Sequence, residues 1–160
     1  MNPVTSSALQ EICLPTGVCF GCGPAHPEGL HIRSFWSEDG QYVVATVQPD
    51  AKYTSGFQDA LYGGTIASLI DCHSNWTAMA FGYRAEDREP GSKPLIASVT
   101  GSLSVKYLRP TPMNVPIFLK AWVDGDVGRK TRVICELGAN GIVTALGDSV
   151  FVRIDPTMFE

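Results

Sequence analysis

From residue 30 onward apolar and polar residues alternate. Leu30-His31-Ile32-Arg33-Ser34-Phe35 and Tyr42-Val43-Val44-Ala45-Thr46-Val47 carry the period of two of half-buried strands, with a turn through Glu38-Asp39-Gly40. Residues 60–82 break that alternation. They contain no Pro, have Gly only near their ends and are rich in Ala, Leu, Ile and Met, which predicts a helix from near Gly63 to near Gly82. Four more strand-like stretches follow near 96–108, 115–124, 130–138 and 141–154, with Gly138-Ala139-Asn140-Gly141 as a hairpin turn between the last two. Residues 1–12 are a short lead-in of one or two helical turns, 13–29 a loop dense in Gly, Pro and Cys, and 83–94 a charged loop. Strand, strand, long helix, four strands is the order of an antiparallel α+β domain, not of a βαβ sheet. A helix of about 20 residues is about 30 Å long and can be covered by one curved sheet.

Placed at 100° per residue, the helix has two unlike faces. Ile66, Leu69, Ile70, His73, Trp76, Thr77, Ala80 and Phe81 form a bulky stripe suited to the sheet. Gly64, Ala67, Ser68, Asp71, Ser74, Asn75 and Ala78 form a small or polar stripe on the other side. The chain has no second long helix to cover it. The expected cover is the same helix from a second copy, in a two-fold dimer. A solvent-facing stripe is the alternative, but Lys, Arg and Glu, which usually populate a wet face, are missing from it.

Asp71 sits in the middle of that stripe, where a carboxylate is costly unless used or paired. Gly63 and Gly64 begin the helix, and free N–H groups at a helix N-terminus favour developing negative charge. A carboxylate plus anion-stabilising N–H groups is the equipment for hydrolysing an activated acyl group. Gly63 and Asp71 are eight residues apart, roughly 12 Å along one helix. An antiparallel partner helix would bring Asp71 of one subunit beside Gly63 of the other.

Composition narrows the class. The chain has 160 residues, is 44% apolar and 18% charged, and carries a net charge of −4. That excludes wholesale disorder and argues against general nucleic-acid binding. No apolar run is long enough to span a bilayer. The first basic residue is Arg33, so no charged leader region is expected, and the five Cys are read as thiols in the cytoplasm.

Several motifs together resemble a known group. Tyr62-Gly63-Gly64-Thr65-Ile66-Ala67-Ser68-Leu69-Ile70-Asp71 is similar to the His-Gly-Gly-x₆-Asp signature of hotdog-fold thioesterases, of the PaaI-like and 4-hydroxybenzoyl-CoA thioesterase group. Cys19-Phe20-Gly21-Cys22-Gly23 followed by Pro27-Glu28-Gly29-Leu30 resembles the opening of many members. Thr100 to Pro110 resembles the strand after the helix, with its Tyr/Phe-x-Arg-Pro ending. The resemblance implies a hotdog domain over residues 29–155, preceded by a lead-in and loop over 1–28, in a single-domain chain. It implies a homodimer, or a dimer of such dimers, with acyl-CoA sites across the helix seam. Asp71 would activate water or attack the thioester itself, and the Gly63 or Gly64 N–H would hold the oxyanion. Thr100 would help position the water. Its alternation with Ser102, Ser104 and Lys106 places it on the polar face of its strand. No cofactor is implied.

Two positions depart from the group. Tyr62 stands where His is usual, and Gly56 where some members have Asn or Gln, with Gln58 nearby as the substitute. A non-catalytic acyl-CoA or lipid-binding protein on the same scaffold is therefore the second reading. A hydratase ranks lower, since His73 faces away from Asp71. Phe57 and Tyr107 are expected to line the acyl side. Nine of the twelve basic residues fall between Arg84 and Arg132, and Arg109, Arg129 and Lys130 are candidates for the CoA phosphates. Cys19-x-x-Cys22, with Cys13 or His26 near it, supplies only one clear ligand pair, so no metal is expected. Gly21-Cys22-Gly23 precedes no helix and is no dinucleotide loop. Asn75-Trp76-Thr77 matches a glycosylation pattern by chance, within a helix.

Overall fold

In the computed structural model, which describes residues 7–159, the chain forms α1 (Leu9–Cys13), β1 (Phe35–Trp36), β2 (Val43–Val47) and a 3-10 turn (Ala51–Tyr53). The long helix α2 (Gly63–Ala85) follows, then β3 (Ala97–Tyr107), β4 (Ile117–Val123), β5 (Lys130–Ala139), β6 (Ile142–Ile154) and a 3-10 turn (Pro156–Phe159). The six strands form one antiparallel sheet in the order β1-β2-β4-β5-β6-β3. The sheet wraps α2, which packs on β3 to β6. The α+β order read from the sequence is the observed one. At the β5–β6 turn Asn140 and Gly141 take positive φ, 53° and 74°. That is the type I′ geometry of a two-residue hairpin, which Asn-Gly favours.

The alternation of the strands decides what they bury. Ile117, Leu119 and Ala121 of β4, Val133, Cys135 and Leu137 of β5, and Ala145 and Phe151 of β6 meet Ile66, Leu69 and Ile70 of α2. A row of small residues crosses the middle of the sheet, where Ala121 pairs with Cys135 and Cys135 with Gly147. A Cβ on Gly147 would lie 2.3 Å from Ile70 Cγ2. The helix therefore presses closest at this row, and a side chain there would force it away. A second cluster of Leu9, Val43, Trp76, Met79, Ala80, Tyr83 and Ile96 packs the later turns of α2. The bulky stripe is buried as expected, with Phe81 only partly so.

Two boundaries differ from expectation. The helix continues past Gly82 to Ala85. Gly82 is not a stop but a packing position, since a Cβ there would touch Ile96 at 3.4 Å. The first strand is shortened to Phe35–Trp36. Residues before it are held by the N-terminal loop instead: Leu30 N–H bonds Phe20 O at 2.7 Å and Ile32 N–H bonds Gly21 O at 3.1 Å. His31 adopts a φ of 50°, which breaks the extended run. The lead-in contributes the single short helix α1, and its first six residues lie outside the described residues. Among the described residues no helix is long and apolar enough to cross a membrane.

Candidate active site

The small face of α2 is partly covered by its own chain. Edge strand β3 runs along it and is tied to it at three places. Tyr107 O–H donates to the Gly63 carbonyl at 2.7 Å, and Thr100 O–H donates to Asp71 Oδ1 at 2.7 Å. Asn75 Nδ2 donates to the Ser98 carbonyl at 3.0 Å, while Ser98 O–H donates to Asn75 Oδ1 at 2.5 Å. Ser74 and Ala78 are buried, Ala67, Ser68, Asp71 and Asn75 stay partly exposed, and Gly64 is exposed. The half of the seam nearest the helix N-terminus is open. Asn75 was not singled out as a site residue, although it lies one helical turn after Asp71 on the same face.

Thr100 does not alternate with Ser102, Ser104 and Lys106 as expected. The β3–β6 register slips between Thr100 and Ser102, so Thr100 pairs with buried Phe151 while Ser102 pairs with Val150. Gly101 is the extra residue of this bulge, and the side-chain parity reverses across it. Ser98 and Thr100 therefore share the helix side with Leu103, Val105 and Tyr107. Ser102, Ser104 and Lys106 turn to the other face. With Gly101 present but regularly paired, the Thr100 hydroxyl would point away from Asp71.

The first turn of α2 has N–H groups with no acceptor inside the helix, and Tyr62 occupies the N-cap position without a capping side-chain bond. The half-exposed Tyr62 ring lies over Gly64, where a Cβ would come 2.5 Å from ring carbon Cε1. Gly64 thus lets the ring close over the helix end. Phe57 and Gln58 are exposed on the loop preceding Ala60, with Phe57 81% accessible. Arg109, Arg129 and Lys130 are exposed as well, but one chain does not bring them together. Lys130 pairs with Val152, which pairs with Val99, whereas Arg109 follows Tyr107 at the other end of β3. Eight residues of strand separate Val99 from Tyr107, about 26 Å.

On the next turn of backbone, three thiols meet. The Sγ atoms of Cys19, Cys22 and Cys72 all lie within 4.8 Å of one another. Cys19 and Cys72 are 3.8 Å apart, and Trp76 Nε1 donates to Cys22 Sγ at 3.2 Å. The Cys72 thiol, with help from the Trp76 N–H, holds the Cys22 pKa down to about 6 against the cost of burial. The same contact pushes Cys72 up. The sequence reading of the Cys19/Cys22 pair did not include Cys72, 50 residues further along the chain, and so missed this arrangement. Its neighbour His73 is a hydrogen-bonded core histidine, as expected. Its Nε2–H donates to Val43 O at 2.9 Å and Ser34 Oγ bonds its Nδ1 at 2.8 Å. Burial drives its pKa down to about 4.

No protein-family model and no curated protein matches the chain. Solved structures do. A thioesterase superfamily protein from Shewanella loihica is 30% identical, with a TM-score of 0.62 over 82% of this chain and 97% of that one. The PaaI protein of the E. coli phenylacetic acid degradation operon is 18% identical, with a TM-score of 0.62 over 78% and 80% of the two chains. A hypothetical thioesterase from Streptococcus pneumoniae, solved with coenzyme A, is 14% identical, with a TM-score of 0.58 over 72% and 82%.

Proposed function

Because the chain belongs to the hotdog-fold thioesterase superfamily, we propose that it hydrolyses a fatty or aromatic acyl-CoA thioester to the free acid and CoA. Asp71 is the general base that takes a proton from water, or the nucleophile that attacks the carbonyl. The first-turn N–H of Gly63 or Gly64 from a partner subunit stabilises the oxyanion. The observation that carries this reading is the Thr100–Asp71 hydrogen bond of 2.7 Å in an open seam. It fixes one carboxylate oxygen and leaves the group partly exposed to a reactant. Phe57, Gln58 and Tyr62, exposed around the same helix end, are the acyl-side contacts.

The reading needs a dimer. Val99, Leu103, Tyr107 and Leu108 stay 38–52% exposed on or just after edge strand β3. An unpaired apolar edge of this kind invites strand pairing with another chain. Antiparallel pairing of two β3 strands about their centre brings the Arg109 end of one subunit to the Lys130 end of the other. That joins the basic residues which a single chain keeps apart, and it suits a ligand with phosphates at one end. A CoA-bearing neighbour of the same fold supports the ligand class. The enzyme works without a cofactor in the cytoplasm.

The test is thiol release over short, medium, long and aromatic acyl-CoAs, with Asp71→Asn alongside. General-base chemistry is worth about 10²–10⁴ in rate. The variant is expected to lose at least about a hundredfold in kcat while calorimetry still detects acyl-CoA binding. Wild-type turnover by Asp71→Asn would remove the assignment. Silence of the wild type across the panel, with binding intact, would overturn hydrolysis itself.

A further inference from the structure

Three of the five cysteines lie together, from two parts of the chain far apart in sequence. Cys19 and Cys22 come from the turn 19–23, and Cys72 from the middle of α2. The turn is pinned without any help from the thiols. Gly23 N–H bonds Cys19 O at 2.8 Å, and Leu30 and Ile32 N–H groups bond the Phe20 and Gly21 carbonyls. The turn also lies flat on the helix: a Cβ on Gly21 would come 2.3 Å from Cys72 Sγ, and one on Gly23 would come 2.4 Å from the Cys19 nitrogen. The two glycines are thus the residues that allow the three sulfurs to converge.

We propose that Cys19, Cys22 and Cys72 form a binding site for a thiophilic divalent d¹⁰ cation, Zn²⁺ being the natural occupant. Three thiolates bind it and a water fills the fourth position. The inference is independent of the thioesterase reading. The spacing is that of a coordination shell. Tetrahedral zinc with Zn–S bonds of about 2.3 Å separates its sulfurs by about 3.8 Å. Cys19 and Cys72 already stand 3.8 Å apart, and the third sulfur lies within 4.8 Å of both. Cys-x-x-Cys on a turn is a usual source of two zinc ligands. The Trp76 indole N–H on Cys22 Sγ is the outer hydrogen bond that supports a bound thiolate. Cys19 is exposed, which leaves a route for the ion and room for the water. Each of the three S–H groups releases its proton as its sulfur–metal bond forms, so the loaded site carries a net charge of −1. His26 does not belong to the site; its Nδ1 accepts from the Glu28 N–H at 3.0 Å.

The experiment uses the full chain, chelator-treated, reduced and kept anaerobic, with all thiols counted before use. Co²⁺ is titrated as the spectroscopic probe, followed by Zn²⁺. The expected result is one Co²⁺ per chain with intense sulfur-to-cobalt charge-transfer absorption and tetrahedral ligand-field bands, abolished by Zn²⁺. Loss of an outer-shell partner alone weakens metal sites about 10–100-fold. Cys72→Ser and Cys22→Ser should each weaken binding by at least about tenfold, with unchanged circular dichroism. Cys13→Ser, outside the cluster, should leave it unaltered. Cobalt binding without the sulfur bands would overturn the site, as would bands that persist in Cys72→Ser. So would a reduced protein that takes up no metal and merely oxidises in air to a disulfide among these cysteines.

Discussion

His73 shows how a single residue on the long helix α2 serves the fold. Gln10, Ser34, His73 and the Val43 carbonyl form one buried chain of hydrogen bonds, with Gln10 Nε2 on Ser34 Oγ at 2.9 Å. The chain joins α1, the segment before β1, α2 and β2. The ring donates from Nε2 and accepts at Nδ1, so it has to be neutral. Its folded pKa of about 4 lies below the ordinary 6.5, because burial penalises the charged ring. Below pH 6.5 the unfolded chain therefore takes up a proton that the folded one refuses, and stability falls as pH drops from about 6.5 to about 4. Over that window the loss is about 3 kcal/mol. Carboxylates whose pKa is lowered, such as Glu11 and Asp148, act in the same direction but at lower pH. Urea unfolding at several pH values should show the slope in wild type and a flatter profile in His73→Gln. An equal slope in both would mean that another group sets it.

At the scale of elements, the informative feature is the bulge in β3. Its consequence is that deleting Gly101 should restore regular alternation. Thr100 would then directly precede outward-facing Ser102, so Ser98 and Thr100 would keep the helix side that Val105 and Tyr107 hold. Turnover should fall roughly ten- to a hundredfold in Thr100→Val if Thr100 positions Asp71, and less in the Gly101 deletion, which keeps the hydroxyl on the helix side. Thr100→Ser should retain most activity, and thermal melts would exclude general unfolding. Full activity in Thr100→Val would show that the Thr100 contact is dispensable. The same bulge marks the limit of what the sequence made legible. Periodicity located the start of α2 and all four later strands to within a residue or two, because each buries one face over many residues; only the helix end ran three residues past Gly82. It misassigned the face of Thr100 because one inserted residue reverses parity and leaves no trace in composition. The shortened β1 has a similar cause, since its backbone is bonded by a loop some ten residues earlier. Asp71, Gly63 and Gly64 were legible as candidates because a mid-helix carboxylate and paired glycines break local propensity. The thiol cluster was not, since Cys72 and Cys19 are 53 residues apart and nothing local joins them.

At the scale of the whole molecule, the chain looks half-finished. Its edge strand β3 carries exposed apolar side chains, the Asp71 carboxylate proposed as base opens into a seam, and the helix end proposed to hold the oxyanion lies about 12 Å away along the same helix. A two-fold dimer would resolve all three at once, and it makes a prediction that no single chain can satisfy. Gly63→Pro removes one N–H at the first helical position, where Pro is tolerated. Tyr62 already has the extended ψ of 130° that a residue before Pro requires, and a Cβ at Gly63 would meet Tyr107 only at 3.5 Å. Loss of an oxyanion donor costs about 10²–10³ in kcat. Gly63→Pro and Asp71→Asn should therefore each be nearly inactive. If the site takes its carboxylate from one subunit and its N–H from the other, mixing the two variants through unfolding and refolding must restore activity. Random pairing puts half the dimers in the mixed form, and each mixed dimer has one site with both groups intact. The recovery should approach roughly a quarter of wild-type activity, with sedimentation giving twice the chain mass. If the mixture stays as inactive as its components, each chain builds its site alone. The exposed edge of β3 would then need a different partner.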